Sequence, residues 1–108
     1  MNTELPFARI NGISLTQPEK NLINKLVGDY NVDFGGLADT VSNPFTGAVV
    51  TVDPVVAALI GFVQDAYSTY SDNGRMTYNG KNVAIGTFDR VRYLVSKLDS
   101  KAFMAILD

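Results

Sequence analysis

A long apolar segment over residues 53–70 constrains the fold more than any other part of the chain. Asp53 can cap a helix, Pro54 is favoured in a first helical turn, and the following sixteen residues carry one charge, Asp65. Apolar side chains lie on nearly every side of this predicted helix, which is typical of a helix buried on most of its faces. In a chain of 108 residues it must be the central helix or be partly covered by another subunit.

Two residues of this helix, Gly61 and Asp65, indicate how its faces are packed. Gly61 lies four residues after Ala57, and a glycine inside a helix costs about 1 kcal/mol relative to alanine, so we expect a neighbouring backbone to pack closely here. Asp65 is either a partly buried carboxylate with a raised pKa or the centre of a water-facing stripe beside Gln64 and Ser68. We favour the stripe because carboxylates are rarely buried without a partner.

Two further helices are predicted on either side of this segment. Thr16-Gln17-Pro18-Glu19 has the form of a capping box, so a helix should begin there, and its apolar face runs to the end signals at residues 28–31. The apolar spacing over residues 85–98 predicts a third helix. Residues 101–107 are expected to add a last helical turn or two that packs on the core.

Short β elements are predicted between the helices. Asn11-Gly12 and Asn79-Gly80 each favour a type I′ hairpin, and the β-branched residues 48–52 follow a turn at residues 43–47. These three pieces can pair into one small sheet. The predicted fold class is therefore mainly α, a small bundle of three principal helices with a minor β-hairpin element, in a single compact domain over residues 1–108.

The composition excludes most familiar catalytic centres. The chain has no Cys and no His, which rules out a disulfide, a thiol nucleophile, an imidazole base and a zinc site built from nitrogen and sulfur ligands. Its carboxylates form no recognisable catalytic pair, and it has no glycine-rich phosphate loop or Gly-x-Ser-x-Gly motif. We therefore expect a protein that is not an enzyme and uses no cofactor.

The sequence shows no signal for export or for membrane insertion. Its first residues lack the basic segment and apolar stretch of a secretory signal. Residues 41–64 are nearly uncharged, but they contain the turn and cap signals Asn43-Pro44 and Asp53-Pro54. We expect no membrane partner.

One short segment has the spacing of a metal-binding loop. Asp29, Asn31 and Asp33 match the first three oxygen ligands of a calcium loop, because alternate residues of a tight loop turn toward one point. The sixth position is Phe34, where such loops have glycine, and the twelfth is Thr40, where they have glutamate. Weak divalent-metal binding is one interpretation, and a solvated loop at the end of a helix is the other.

Charge is unevenly distributed along the chain. The formal net charge is −2, yet residues 75–101 hold six basic and two acidic residues. The basic residues are Arg75, Lys81, Arg90, Arg92, Lys97 and Lys101. They form a candidate nucleic-acid patch, with tyrosines available for stacking on bases. The alternative is a basic half folded against an acidic half, which the acidic total favours.

Three stretches of the sequence carry a family resemblance. They are the turn Asn43-Pro44-Phe45-Thr46-Gly47, the apolar helical segment 58–63, and the aromatic and aliphatic ending over residues 102–108. Together they resemble small uncharacterised proteins of tailed bacteriophages, marine phages among them, over about the last two-thirds of the chain. That group has no assigned activity, so the resemblance implies a phage origin and gives no residue a function.

The sequence thus predicts a non-enzymatic protein-interaction protein, as a viral accessory or structural component. Its partner is a second copy, most simply in a two-fold dimer, or another protein, because a small chain does not easily cover so apolar a helix. The interface candidates are Val55, Leu59, Phe62, Phe103 and Ile106. Nucleic-acid binding and weak metal binding are the alternatives. The expected location is the cytoplasm, that of the host for a phage protein, or the virion.

Overall fold

The computed structural model describes residues 9–10, 13–36 and 38–107. Within them the chain is mainly α, as predicted, with three long helices and three short hairpins. In chain order the elements are β1 (Arg9–Ile10), β2 (Ile13–Ser14), α1 (Gln17–Tyr30), β3 (Thr40–Ser42), β4 (Val49–Thr51), α2 (Pro54–Asn73), β5 (Thr77–Tyr78), β6 (Lys81–Asn82), α3 (Ile85–Leu98), α4 (Ser100–Ala102) and a π-helical turn (Phe103–Leu107). None of the helices described is long and apolar enough to cross a membrane.

Helix α1 begins and ends where local chemistry dictates. The Thr16 hydroxyl accepts the N–H of Glu19 at 3.4 Å, and the Glu19 carboxylate accepts the N–H of Thr16 at 2.8 Å, which confirms the capping box. The helix ends at Asn31, whose left-handed φ of 58° lets Val32 donate back to the carbonyl of Leu26. Both ends are thus set by residues readable in the sequence.

Helix α2 is the central helix of the fold. A carboxylate oxygen of Asp53 accepts the N–H of Val55 at 3.0 Å, which confirms the predicted cap, and the helix ends at Gly74 with a φ of 75°. The helix packs against α3, β3 and β5. Its buried residues are Val55, Val56, Ala57, Leu59, Ile60, Phe62, Val63 and Ala66. The chain's own elements therefore cover the apolar segment, the first of the two alternatives above.

The second half of α2 departs from this burial. Tyr67 and Tyr70 are about half exposed, and Asp65 is exposed, so the water-facing stripe is the correct interpretation of that carboxylate. The expected close packing at Gly61 is wrong, because a Cβ added there meets no neighbouring atom within 4 Å. This part of the helix contributes to the surface as well as to the core.

An aromatic cluster joins α1, α2 and the third hairpin. The Phe62 ring lies 5.4 Å from Tyr30 and 4.9 Å from Tyr78, measured between ring centroids. The Tyr30 hydroxyl donates to the carbonyl of Asn82 at 3.2 Å, and the Asn79 amide donates to the carbonyl of Tyr30 at 2.8 Å. Apolar contact and hydrogen bonding thus hold this hairpin against the end of α1.

The β elements form three separate antiparallel hairpins. β1 pairs with β2, β3 with β4, and β5 with β6, so the expectation that the pieces join in one sheet is wrong for the described residues. Asn79 and Gly80 have φ values of 51° and 78°, which confirms the type I′ turn. The Asn11-Gly12 turn lies outside the described residues. The partner of β4 is β3, a strand that the sequence analysis did not predict.

The C-terminal residues pack on the core, as expected. Asp99 caps α4 by accepting the N–H of Ala102 at 3.1 Å, and Ala102 and Ile106 are buried. Helix α3 buries Val91 and Leu94 against the rest of the fold. The helical segment after α3 makes four helices in the part of the chain described, so the predicted number of three is not exact.

Candidate functional site

The most distinctive surface of the described chain is an open groove of about 560 Å³. Its walls come from the turn between β3 and β4, the second half of α2, helix α3 and the π-helical turn. The lining residues that matter below are Phe45, Tyr67, Asp72, Phe88, Arg92 and Leu107. We call it the Phe45 groove because that side chain is 87% exposed at its edge.

A network around Asn43 fixes the turn that carries Phe45. The Asn43 side-chain oxygen accepts the N–H of Phe45 at 2.8 Å and that of Thr46 at 3.2 Å. Gly47 donates to the Asn43 carbonyl at 2.8 Å and has a φ of 77°, a conformation that favours glycine. The turn therefore has one defined conformation, which leaves the Phe45 side chain exposed at the edge of the groove.

Two long-range hydrogen bonds attach this turn to the helices. The Asn43 amide donates to the carbonyl of Ala105 at 3.1 Å, which joins the turn to the π-helical turn. The Gln64 amide donates to the carbonyl of Ser42 at 2.8 Å, which joins β3 to α2. Asn43 is itself buried, and all of its side-chain polar atoms have partners. The hairpin is thus held to both walls of the groove.

Arg92 contributes the groove's positive charge. Its guanidinium carbon lies 5.3 Å from the centre of the Phe103 ring, in a cation–π contact, and it donates to the carbonyl of Leu107 at 3.4 Å. Asp72 contributes a carboxylate from α2. The lining therefore carries one basic and one acidic side chain among apolar and aromatic ones.

A second and larger groove of about 750 Å³ lies between α1 and α3. Four charged residues line it: Glu19, Lys25, Asp89 and Arg90. A bound partner would remove water from these charges, which costs free energy unless each is paired again. Tyr93 is exposed there, among these charged side chains. The Phe45 groove is the better candidate site, despite its smaller volume.

The predicted metal residues have separate roles in the structure. Asp29 lies 3.8 Å from Lys25 in a surface ion pair, Asn31 ends α1, and an Asp33 oxygen accepts the N–H of Gly35 at 2.8 Å. No cluster of three or more His, Cys, Asp or Glu side chains suited to a metal ion occurs in the described residues. The positions of these three side chains give no support for divalent-metal binding.

The six predicted nucleic-acid residues lie on several parts of the fold, with Arg90, Arg92 and Lys97 all on helix α3. Arg75, Lys81, Arg90 and Lys101 are exposed on different elements: the turn after α2, strand β6, helix α3 and helix α4. Arg92 contacts Phe103, and Lys97 donates to the Glu19 carboxylate at 2.7 Å. Two of the six therefore serve contacts within the chain.

The predicted interface residues lie mostly in the core. Val55, Leu59, Phe62 and Ile106 are each no more than 6% exposed, and Phe103 is partly buried beneath Arg92. Val55, Leu59 and Phe62 contact the chain's own elements and offer no surface to a partner, whereas Ile106 also lines the Phe45 groove. The apolar content that suggested an interface is accounted for by the central position of α2.

Tyr78 lies at the edge of a small polar pocket of about 320 Å³ that Asp65 also lines. Burial raises the pKa of the Tyr78 hydroxyl, and the negative charges of Asp65 and Asp33 raise it further. The tyrosine is therefore protonated at neutral pH. Its ring serves the aromatic cluster.

Phe45 is the residue that sequence reasoning missed. The run Asn43-Pro44-Phe45-Thr46-Gly47 predicts a turn, but local spacing indicates no role for its aromatic residue. Its position in the turn is what indicates exposure, because an aromatic side chain inside a tight turn has no neighbour in its own hairpin to pack against. Single exposed apolar residues are common on protein surfaces, so this position alone does not indicate a binding site. The structure adds that Phe45 lies at the edge of a groove.

The fold and the groove together define a small mainly α protein with a pre-formed apolar groove and a fixed aromatic side chain at its edge. Comparison with known proteins gives no match: no family model, no curated protein and no solved structure matches the chain.

Proposed function

We propose that this protein is a non-enzymatic protein-interaction module that binds its partner through the Phe45 groove. The observation that carries the proposal is the 87% exposure of Phe45 on a turn fixed by Asn43. Burying a phenylalanine side chain stabilises a complex by roughly 1.5–3 kcal/mol. Because the turn is already ordered, little of that gain is lost to ordering the backbone on binding.

The composition of the groove supports the same proposal. Its edge and walls present Phe45, Tyr67, Phe88 and Arg92. Aromatic residues and arginine are enriched in protein interfaces and dominate their binding energy, whereas other charged residues are depleted. The exposed Tyr70 extends the aromatic surface, its ring 6.5 Å from that of Tyr67.

The phage resemblance favours one form of this proposal, a viral accessory or structural component. The nucleic-acid alternative stays a prediction, tested by retention of single-stranded DNA at about 50 mM salt. A protein partner is favoured because the groove is a built surface, whereas the basic residues lie on three elements and the segment after α2, and two of them serve internal contacts.

Photocrosslinking tests the proposed function without knowledge of the partner. The photoreactive residue p-benzoylphenylalanine replaces Phe45 in one variant and Tyr93 in a matched control, since both side chains are exposed and aromatic. After irradiation in the producing cells, we expect discrete protein adducts from position 45 and few from position 93. Absence of adducts at position 45, or equal adducts at both positions, would contradict the proposal.

A further inference from the structure

We infer that the partner bound in the Phe45 groove is a second copy of this chain, in a two-fold dimer in which each copy inserts its Phe45 ring into the groove of the other. The inference rests on the proposed function above and names its partner. The structure places the protruding ring and the groove on the same face of the molecule. A two-fold interface of this kind requires the ring and the groove to lie on one face.

The requirement follows from symmetry. In a two-fold dimer the same face of both copies meets, so whatever protrudes from that face must fit a recess in that same face. Phe45 both lines the groove and is 87% exposed at its edge. The groove between α1 and α3 also has an exposed ring, that of Tyr93, but four charged residues line it, so covering it with a second copy costs more free energy.

The size of the groove suits the ring. Its volume is about 560 Å³, and a cavity of about 150 Å³ is enough to bind benzene. The groove therefore has room for the Phe45 ring of a second copy together with flanking atoms of its turn. Phe88 and Tyr67 line it, so an entering ring meets other aromatic rings, a favourable pairing.

The charges of the face are also self-complementary. Asp72 and Arg92 line the same groove, so two copies related by a two-fold axis can place each Arg92 against the Asp72 of the other. A face with charges of one sign would repel its own copy. This face carries both signs, and the chain's formal net charge of −2 is too small to oppose association strongly.

A stable dimer buries about 800 Å² on each copy. The total accessible surface is 6536 Å², so this is roughly an eighth of the molecule. The groove alone does not supply such an area. The exposed rings of Tyr67 and Tyr70 on the second half of α2 continue the apolar surface beside it, and we place them inside the same interface.

Sedimentation velocity over about 5–200 μM protein tests the dimer. We expect the chain to form a dimer, Phe45→Ala to raise the dissociation constant at least tenfold, and Tyr93→Ala to leave it unchanged. Far-UV circular dichroism checks that both variants are folded. A chain that is monomeric throughout this range, or a dimer that Phe45→Ala does not weaken, overturns the inference.

A charge-exchange experiment tests the predicted orientation. Asp72→Arg and Arg92→Asp should each weaken the homodimer, because like charges then face each other twice across the axis. Mixing the two variants should restore pairing as a heterodimer, seen by native mass spectrometry. Arg92→Asp also loses the Phe103 contact, so the double variant D72R/R92D is included and should recover homodimers. Failure of both the mixture and the double variant to pair overturns this orientation.

The outcomes separate this inference from the proposed function. Adducts from position 45 with other proteins only, together with a monomer in sedimentation, leave the interaction module standing and overturn self-association. Adducts of twice the chain's mass support both. No adducts at position 45 overturn both.

Discussion

At the scale of single residues, Asn43 connects more of the molecule than its place in a turn suggests. Its side chain bonds two N–H groups of the turn, 2.8 and 3.2 Å away, and the carbonyl of Ala105, 3.1 Å away. One buried amide thus fixes the turn, joins it to the C-terminal helical segment and holds Phe45 in place. The candidate site thus depends on a buried amide in its own lining.

We predict that Asn43→Ala lowers the free energy of unfolding by about 1–3 kcal/mol, because it leaves buried hydrogen-bonding groups without partners. Urea denaturation followed by circular dichroism measures this. Asn24→Ala is the matched control: Asn24 is exposed on α1, and its loss should change stability by no more than about 0.5 kcal/mol. Equal effects of the two substitutions would show that the Asn43 network is not needed for stability.

The sequence reveals only part of this residue's role. Asn-Pro followed by a glycine predicts the turn, since each residue type has a local backbone preference. The bond to Ala105 joins positions 62 residues apart, and nothing in local spacing indicates it. For the same reason the sequence does not distinguish the exposed Phe45 from the buried interface candidates Val55, Leu59 and Phe62. Hydrophobicity alone does not distinguish core from docking surface.

At the scale of elements, Glu19 links the start of α1 to α3. One carboxylate oxygen accepts the N–H of Thr16 at 2.8 Å, and the other accepts a hydrogen bond from Lys97 at 2.7 Å. Partial burial by itself raises the pKa of Glu19, but the bonds from Lys97 and Thr16 outweigh it and lower the pKa. The Glu19 bond in turn raises the pKa of Lys97.

These shifts predict how stability depends on pH. A lowered pKa in the folded state means that the contribution of Glu19 is present above its ordinary value of 4.5 and is lost as pH falls below it. The raised pKa of Lys97 means that its contribution is present below 10.5 and is lost at higher pH. Both contributions are therefore present at neutral pH.

We expect Glu19→Gln to lose less stability than the unmodified chain between pH 6 and pH 3, because glutamine keeps the cap but does not titrate. Urea denaturation across this pH range measures it. Lys97→Gln is the companion variant and should also flatten the acid dependence, since it removes the donor that lowers the pKa of Glu19. Parallel acid profiles for all three chains would contradict the role given to this ion pair.

Gly61 gives a second prediction at this scale. A Cβ there meets no neighbouring atom within 4 Å, so Gly61→Ala should stabilise α2 by roughly 0.5–1 kcal/mol through its better helix propensity. Gly74→Ala should have the opposite effect, because Gly74 has a φ of 75° at the end of the same helix. Thermal unfolding of the two variants measures both. A lower melting temperature for Gly61→Ala would indicate an occupied space beside it.

The elements themselves were largely predictable from the sequence. Caps at Thr16 and Asp53 and the Asn79-Gly80 turn act through neighbouring residues, so their chemistry can be read directly. Strand β3 and the separation of the hairpins could not be read, because a strand three residues long depends on which segment the fold places beside it.

At the scale of the whole molecule, α2 decides both the core and the surface. Its first half is enclosed by the chain's own elements, whereas Tyr67 and Tyr70 in its second half remain about half exposed, and Tyr67 lines the same groove as Phe45. Helix α2 therefore does not require a partner to cover its apolar core face. The features that favour a partner are the exposed rings of Tyr67 and Tyr70 and the fixed turn that carries Phe45.

The central claim is that the side chain at position 45 is the anchor of a protein interface. The chain has no Trp, so Phe45→Trp introduces a single tryptophan, at that position. We predict emission typical of a water-exposed indole at low protein concentration and a shift to shorter wavelength as concentration rises, with Tyr93→Trp unchanged as the control. Crosslinking first shows whether the chain has another protein as its partner. If it has none, emission from position 45 that stays that of an exposed indole over about 5–200 μM would contradict the claim.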